Sequence, residues 1–194
     1  MTGTGVAPLP ALDFKIHPAV SSFTESQQAY MTKNPDSRYN YLATGALIFD
    51  KSHPKVPRIL LIQRAAADSM PYHWEIPGGG CDDEDESILY SVARELWEEA
   101  GLKAKSIIQT VGDADLFSTR SGKKICKFVF LVEAEANSDG GFDVTLDPKE
   151  HQQFVWATEE DVKARKSGNI ELQFTTQELE NIVIEAFREI ERQA

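Results

Sequence analysis

Residues 86–100 carry two patterns that only a helix reconciles. Ile88, Leu89, Val92, Ala93, Leu96 and Ala100 recur at helical intervals and define one buried stripe. Glu95, Glu98 and Glu99 stand at i, i+3 and i+4, so at about 100° per residue they share an arc of roughly 80 to 100°. Gly101 supplies the stop. A helix with one apolar stripe must bury it against another layer. Like charges at these spacings cost about 0.2–0.5 kcal/mol per pair, and more if desolvated, so something outside the chain is expected to neutralise them.

Strand-like runs surround this helix. "YLATGALIFD" from Tyr41 and "RILLIQR" read as two strands separated by the turn-rich "KSHPKVP". "SIIQTVGDADLF" and "KICKFVFLVEAEA" read as two more, with "RSGKK" as a hairpin tip, and "FVWAT" as a last short one. Thr158 with Asp161 forms a capping box for a helix that Gly168-Asn169 ends. A final helix starts near Thr175 or Thr176 and buries Leu179, Ile182, Val183, Ala186, Phe187 and Ile190. Strands mixed with helices that can cover both faces predict an α/β fold, a sandwich around a mixed sheet.

Residues 1–40 hold four of the nine prolines and show no sustained periodicity, so they read as an N-terminal arm beside a domain spanning 41–194. The arm carries one short helix, capped by Thr24 with Gln27 and stopped at Asn34-Pro35. It packs either on its own core or on a second subunit, the latter giving a homodimer.

Bulk properties exclude several classes of function. A formal charge of −11 disfavours a stable nucleic-acid duplex complex or an anionic membrane surface, both of which want clustered Lys and Arg. Cys81 and Cys126 lack metal-ligand spacing and suit a reducing compartment. With no signal-like start and no run long enough to span a membrane, the expected location is cytoplasmic.

Hard carboxylate oxygens select Mg²⁺, or Mn²⁺, over thiolate-loving metals, and Mg²⁺ commonly shares its shell with substrate phosphates. The helix therefore points toward phosphate esters or anhydrides. Upstream, "HWEIPGGG" allows a close backbone approach that would let a carbonyl join the metal shell. The acidic "CDDEDE" is no EF-hand, since a loop starting at Asp83 lacks its central glycine and ends on Arg94; it reads as a solvated loop. "SGKK" is no P-loop, because position 117 is Phe.

Gly80, five residues, Glu86, seven residues and then Arg94-Glu95-Leu96-Trp97-Glu98-Glu99-Ala100-Gly101-Leu102 match every fixed position of the 23-residue Nudix box, so the chain resembles the Nudix hydrolases. The resemblance implies a Nudix-type α/β/α sandwich that hydrolyses a diphosphate linkage in a small nucleoside diphosphate derivative, usually with Mg²⁺. Carried over by position, it implies Glu98 and Glu99 as principal metal ligands, Glu95 as a further ligand or the base that prepares water, and the Gly79 carbonyl as a backbone ligand. Glu86, Arg94 and Gly80 would support them. Many relatives add a carboxylate from a loop outside the box, and Glu150, just before the last strand, is the candidate for that role here. The alternative is a nucleotide-sensing protein that keeps the fold without the chemistry.

Other residues admit two readings. Arg64 either contacts phosphate or pairs with an acid. Trp74 and Phe117 either stack on a base or belong to core and rim. Arg120, Lys123 and Lys124 either meet an anionic substrate or supply solubilising charge at a hairpin tip. His53, His73 and His151 have no partner at ligand spacing.

Overall fold

The computed structural model describes residues 9–36, 38–52, 56–119 and 121–192. Two strands set the frame, β2 (Tyr41–Asp50) and β3 (Arg58–Arg64), both almost wholly buried. Burial on both faces explains why they read as continuous apolar runs instead of alternating ones. The pairing order is β1 (Lys15–Ile16), β5 (Ala104–Thr110), β7 (Lys124–Ala134), β2, β3 and β4 (Trp74–Glu75). Off this path, β6 (Asp115–Ser118) pairs with β7, and β8 (His151–Ala157) pairs with β3. The pairs β2–β7 and β1–β5 are parallel, so the sheet is mixed, as expected.

Helices cover both faces. Along β2, Leu42, Ala46 and Ile48 face a core shared with Ile88, Leu89, Val92, Ala93 and Leu96 of α2 (Ile88–Ala100). Leu47 and Phe49 point the other way, into a core filled by Val183, Phe187 and Ile190 of α4 (Gln177–Arg192). This two-faced alternation follows from the period of a strand and makes the fold an α/β/α sandwich. Between them in sequence, α3 (Glu159–Ala164) carries the expected Thr158–Asp161 capping box.

Several local expectations are corrected. The arm's helix, α1 (Gln27–Lys33), is capped by Ser26, whose hydroxyl accepts from Ala29 N–H; Thr24 instead closes the preceding 3₁₀ turn, Pro18–Phe23. "SIIQTVGDADLF" is broken into β5 and β6 by a turn in which Gly112 takes a positive φ. The helix α3 ends at Arg165, which adopts the left-handed conformation, and Gly168-Asn169 turns the small hairpin of β9 (Lys166–Ser167) and β10 (Ile170–Glu171). Val20 and Phe23 of the arm lie in the α2-side core, with Phe23 edge-on to Phe128 and Phe130. His53 and Arg120 lie outside the described residues.

Candidate active site

The helix α2 begins at Ser87, whose hydroxyl accepts from Tyr90 N–H, and ends at Gly101 with φ 66°. That left-handed cap is open to glycine at little cost, and it lets the chain turn away directly after the acidic face. Facing this turn is the loop 76–81. Ala46 N–H donates to Pro77 O, Thr44 N–H to Gly79 O and Cys81 N–H to Leu42 O, at 2.8, 2.8 and 3.0 Å. Pinned to β2 in this way, the loop presents a fixed edge to the helix.

Glu99 is 6% exposed and its Oε2 accepts from Gly78 N–H at 2.6 Å. A Cβ on Gly79 would stand 2.7 Å from Glu95 Oε2, so glycine is what allows that carboxylate to reach the loop. The Gly79 carbonyl already accepts one hydrogen bond, and any metal contact would use its second lone pair.

Arg94 organises the cluster. Its Nε and Nη2 donate to Asp85, Nη1 to Glu95 and Glu98, and Nη2 also to Gly80 O, at distances from 2.8 to 2.9 Å. All of its N–H donors are therefore engaged. Burial works against its charge, but Asp85 and Glu95 outweigh burial and hold the guanidinium ionised. The acidic run reads as a solvated loop, but Asp85 is buried and its Oδ2 also accepts from the Ser91 hydroxyl. Glu86 is exposed on the same loop, and the buried carboxylate that braces Arg94 is Asp85.

Burial and neighbouring charge set the protonation of the cluster. Burial pushes the Glu95 carboxyl up to about 7, with Glu98 and Glu150 adding to the rise against the pull of Arg94. Burial also drives Glu99 well above the ordinary range, reinforced by Glu75 and Glu95 and only partly countered by Gly78 N–H and Lys127. Arg94 offsets only part of the repulsion among these hard oxygen donors, and the remainder fits a divalent cation.

The tertiary structure brings in residues that spacing could not. Glu99, Glu150 and His151 each offer a ligand atom within 4.8 Å of the others. His151 is thus corrected from a histidine without partners, and its Nε2 also lies 3.1 Å from Glu75 Oε1. Glu75 pairs with Arg64 at 2.6 Å, and Arg64 also pairs with Asp68. Arg64 therefore joins β3 to two acids of the neighbouring segments. Trp74 is fully buried and its Nε1–H donates to Glu171 O at 2.9 Å, so it belongs to the core and cannot stack on a ligand. Phe117 is exposed on β6, two residues from Asp115, which stands opposite Lys127 in register.

A mixed sheet between helix layers, with an acidic helical turn held against a glycine loop, defines an α/β/α sandwich whose candidate site is lined by carboxylates. The NUDIX domain profile matches residues 40–177, and the chain belongs to that family, hydrolases acting on phosphoric anhydride bonds that generally use a divalent metal ion. Over 106 residues it is 34% identical to the CTP pyrophosphohydrolase of Escherichia coli (strain K12), covering 54% of this chain and 69% of the relative. The MutT protein of Methanosarcina mazei Go1 aligns over 81% of this chain and 97% of its own, with TM-score 0.57 and 24% identity. A C. elegans Ap4A hydrolase in a binary complex aligns over 78% of this chain and 99% of its own, with TM-score 0.53 and 20% identity. Both structural likenesses concern the fold.

Proposed function

We propose that the protein is a Mg²⁺-dependent pyrophosphohydrolase of a nucleotide-type substrate, with Mn²⁺ able to replace Mg²⁺. The observation that carries this reading is the pair of buried carboxylates Glu95 and Glu99, held by Arg94 and Gly78 N–H against mutual repulsion. Glu98 and Glu99 are the principal ligands, joined by Glu95, Glu150 and the Gly79 carbonyl. When bound, the cation would neutralise diphosphate oxygens and ease formation of hydroxide from water. Arg94 fixes Oε1 of Glu95, which leaves Oε2 to accept a proton from the attacking water. Asp85 keeps the arginine in place while that transfer occurs. A nucleotide as substrate is supported by the relative that is a CTP pyrophosphohydrolase.

The same reading puts residues 41–194 in charge of catalysis and the enzyme in the cytoplasm; among the described residues no helix is long and apolar enough to cross a membrane. Dimerisation through residues 1–40 is supported by β1, an edge strand that leaves Ile16 exposed. Light scattering that gives a monomer mass for the full chain would contradict it.

The test is turnover on a panel of nucleoside triphosphates, nucleotide sugars and dinucleoside polyphosphates, with Mg²⁺ and separately with Mn²⁺, run in ¹⁸O-labelled water to locate the attacked phosphorus. Glu98→Gln and Glu99→Gln should each lower kcat by about 100-fold or more, the range seen when one electrostatic group of an active site is removed. Near-zero turnover of every compound by the unaltered chain, with nucleotide binding retained, would replace this reading by a sensor.

A further inference from the structure

We propose that His151 turns the cleft beside Glu99 into a mixed nitrogen–oxygen metal site, with Glu99 and Glu150 as carboxylate ligands, which favours Mn²⁺ and the later transition ions over Mg²⁺. The inference rests on the metal-dependent reading above and changes which ion the protein prefers.

Three observations support it. A ring nitrogen of His151 and carboxylate oxygens of Glu99 and Glu150 all lie within 4.8 Å of one another. His151 is 2% exposed, and its Nδ1 is buried without a hydrogen-bond partner among the described residues. Its Nε2 faces Glu75 Oε1 at 3.1 Å, while the same oxygen is held by Arg64 Nη1 at 2.6 Å.

Against burial, the hydrogen bond to His151 and the charge of Arg64 hold Glu75 below the usual carboxylate range, and a carboxylate only accepts, so in a neutral His151 ring Nε2 is the nitrogen that donates to it. The lone pair of the ring then sits on Nδ1. A carboxylate that takes the second N–H of a histidine is the usual way a metal-binding imidazole is fixed in tautomer and orientation.

The backbone sets this up. Along β8, the register with β3 shifts between Gln63 and Arg64, so that Gln63 pairs with Gln153 and Arg64 with His151, leaving Gln152 as the extra residue. Such bulges re-aim side chains next to sites. Here the irregularity coincides with the buried His151 following the exposed Glu150, both near Glu99.

Ion preference follows from donor chemistry. Mg²⁺ binds oxygen almost alone, whereas imidazole suits later first-row ions, whose affinity rises across the series.

The untagged, metal-free full chain would be titrated with Mn²⁺ and with Mg²⁺, and the electron spin echo of bound Mn²⁺ recorded. Modulation from a directly bonded ¹⁴N is expected, and His151→Gln should abolish it. That substitution should weaken Mn²⁺ about tenfold or more and Mg²⁺ by under about threefold, in line with the effects of altered metal shells. Mn²⁺ that binds without nitrogen modulation overturns the inference and leaves the hydrolase reading intact. Failure of both ions to bind overturns both. Should His151→Gln not fold, the spectrum of the unaltered chain decides alone.

Discussion

Asp85 and Arg94 form a two-pronged pair, Nε to Oδ1 at 2.9 Å and Nη2 to Oδ2 at 2.8 Å, both side chains being buried. Planar fork geometry makes this stronger than a point contact and fixes the guanidinium in direction as well as position. The remaining donors of Arg94 then reach Glu95, Glu98 and Gly80 O. One pair of residues therefore aims Glu95 and Glu98, while Glu99 is held separately by Gly78 N–H.

Breaking that pair should cost both fold and activity. Asp85→Ala leaves a buried guanidinium short of a partner, and a loss of about 3 kcal/mol is expected from urea denaturation. Arg94→Lys keeps the charge but not the fork, so it should lower kcat by about tenfold or more even where the protein remains folded. Equal kcat for Arg94→Lys and the unaltered enzyme would show that aiming is unimportant.

The metal-free protein should lose stability as pH rises. The Glu95 carboxyl has a folded pKa raised to about 7, above its unfolded value, so the folded state holds more protons between those two values. Stability then falls with increasing pH across roughly pH 4.5 to 7, by an amount on the order of 3 kcal/mol for this one group. Glu99 acts in the same direction. Thermal melts in a chelator at pH 5 and pH 8 measure the effect; adding Mn²⁺ at pH 8 should restore the melting temperature, and Glu95→Gln should flatten the dependence.

Gly79→Ala separates catalysis from folding. Its new Cβ would stand 2.7 to 2.8 Å from Oε2, Cδ and Oε1 of Glu95, so the carboxylate must turn away from the loop and strain its bond to Arg94, while the backbone of the loop is untouched. A fall in kcat of about tenfold or more is expected, of the size that misplacement of a reacting group by an ångström produces. Denaturation should move by no more than about 2 kcal/mol, less than expected for Asp85→Ala. A large stability loss with unchanged kcat would contradict the placement of Glu95.

Phe23 tests whether the arm is part of the folded unit. It is 8% exposed and packs on Tyr30, Phe128 and Phe130. Phe23→Ala should cost about 3–5 kcal/mol through transfer and cavity terms, read from urea unfolding. A change below about 1 kcal/mol would mean that the arm does not stay on the sheet in solution.

Much of this protein was legible along the chain because the signals are local. The stripe of α2, its Gly101 stop, the Thr158–Asp161 box and the buried face of α4 depend on spacings of three or four residues, and the structure keeps each of them. The β2 and β3 segments were equally plain, since strands buried on both faces are apolar throughout. Where local signals competed, spacing misled: Ser26 took the cap expected of Thr24, and the left-handed Arg165 ended α3 before Gly168 could.

Beyond the helix, Gly79 and Glu150 were within reach of the sequence, and the partners that surround them came from tertiary structure. Glu75 and His151 are 76 residues apart in sequence and meet because β4 and β8 both pair with β3. Trp74 looked available for stacking until its indole N–H found Glu171, 97 residues on. Asp85 sat in a run of acids whose composition suggests solvent, and only the approach of Arg94 and Ser91 makes it a buried brace. The sequence by itself determined the helix, its acidic face and the family; packing decided which charges face one another, because electrostatic partnership depends on distance in space and leaves no periodic trace in the chain.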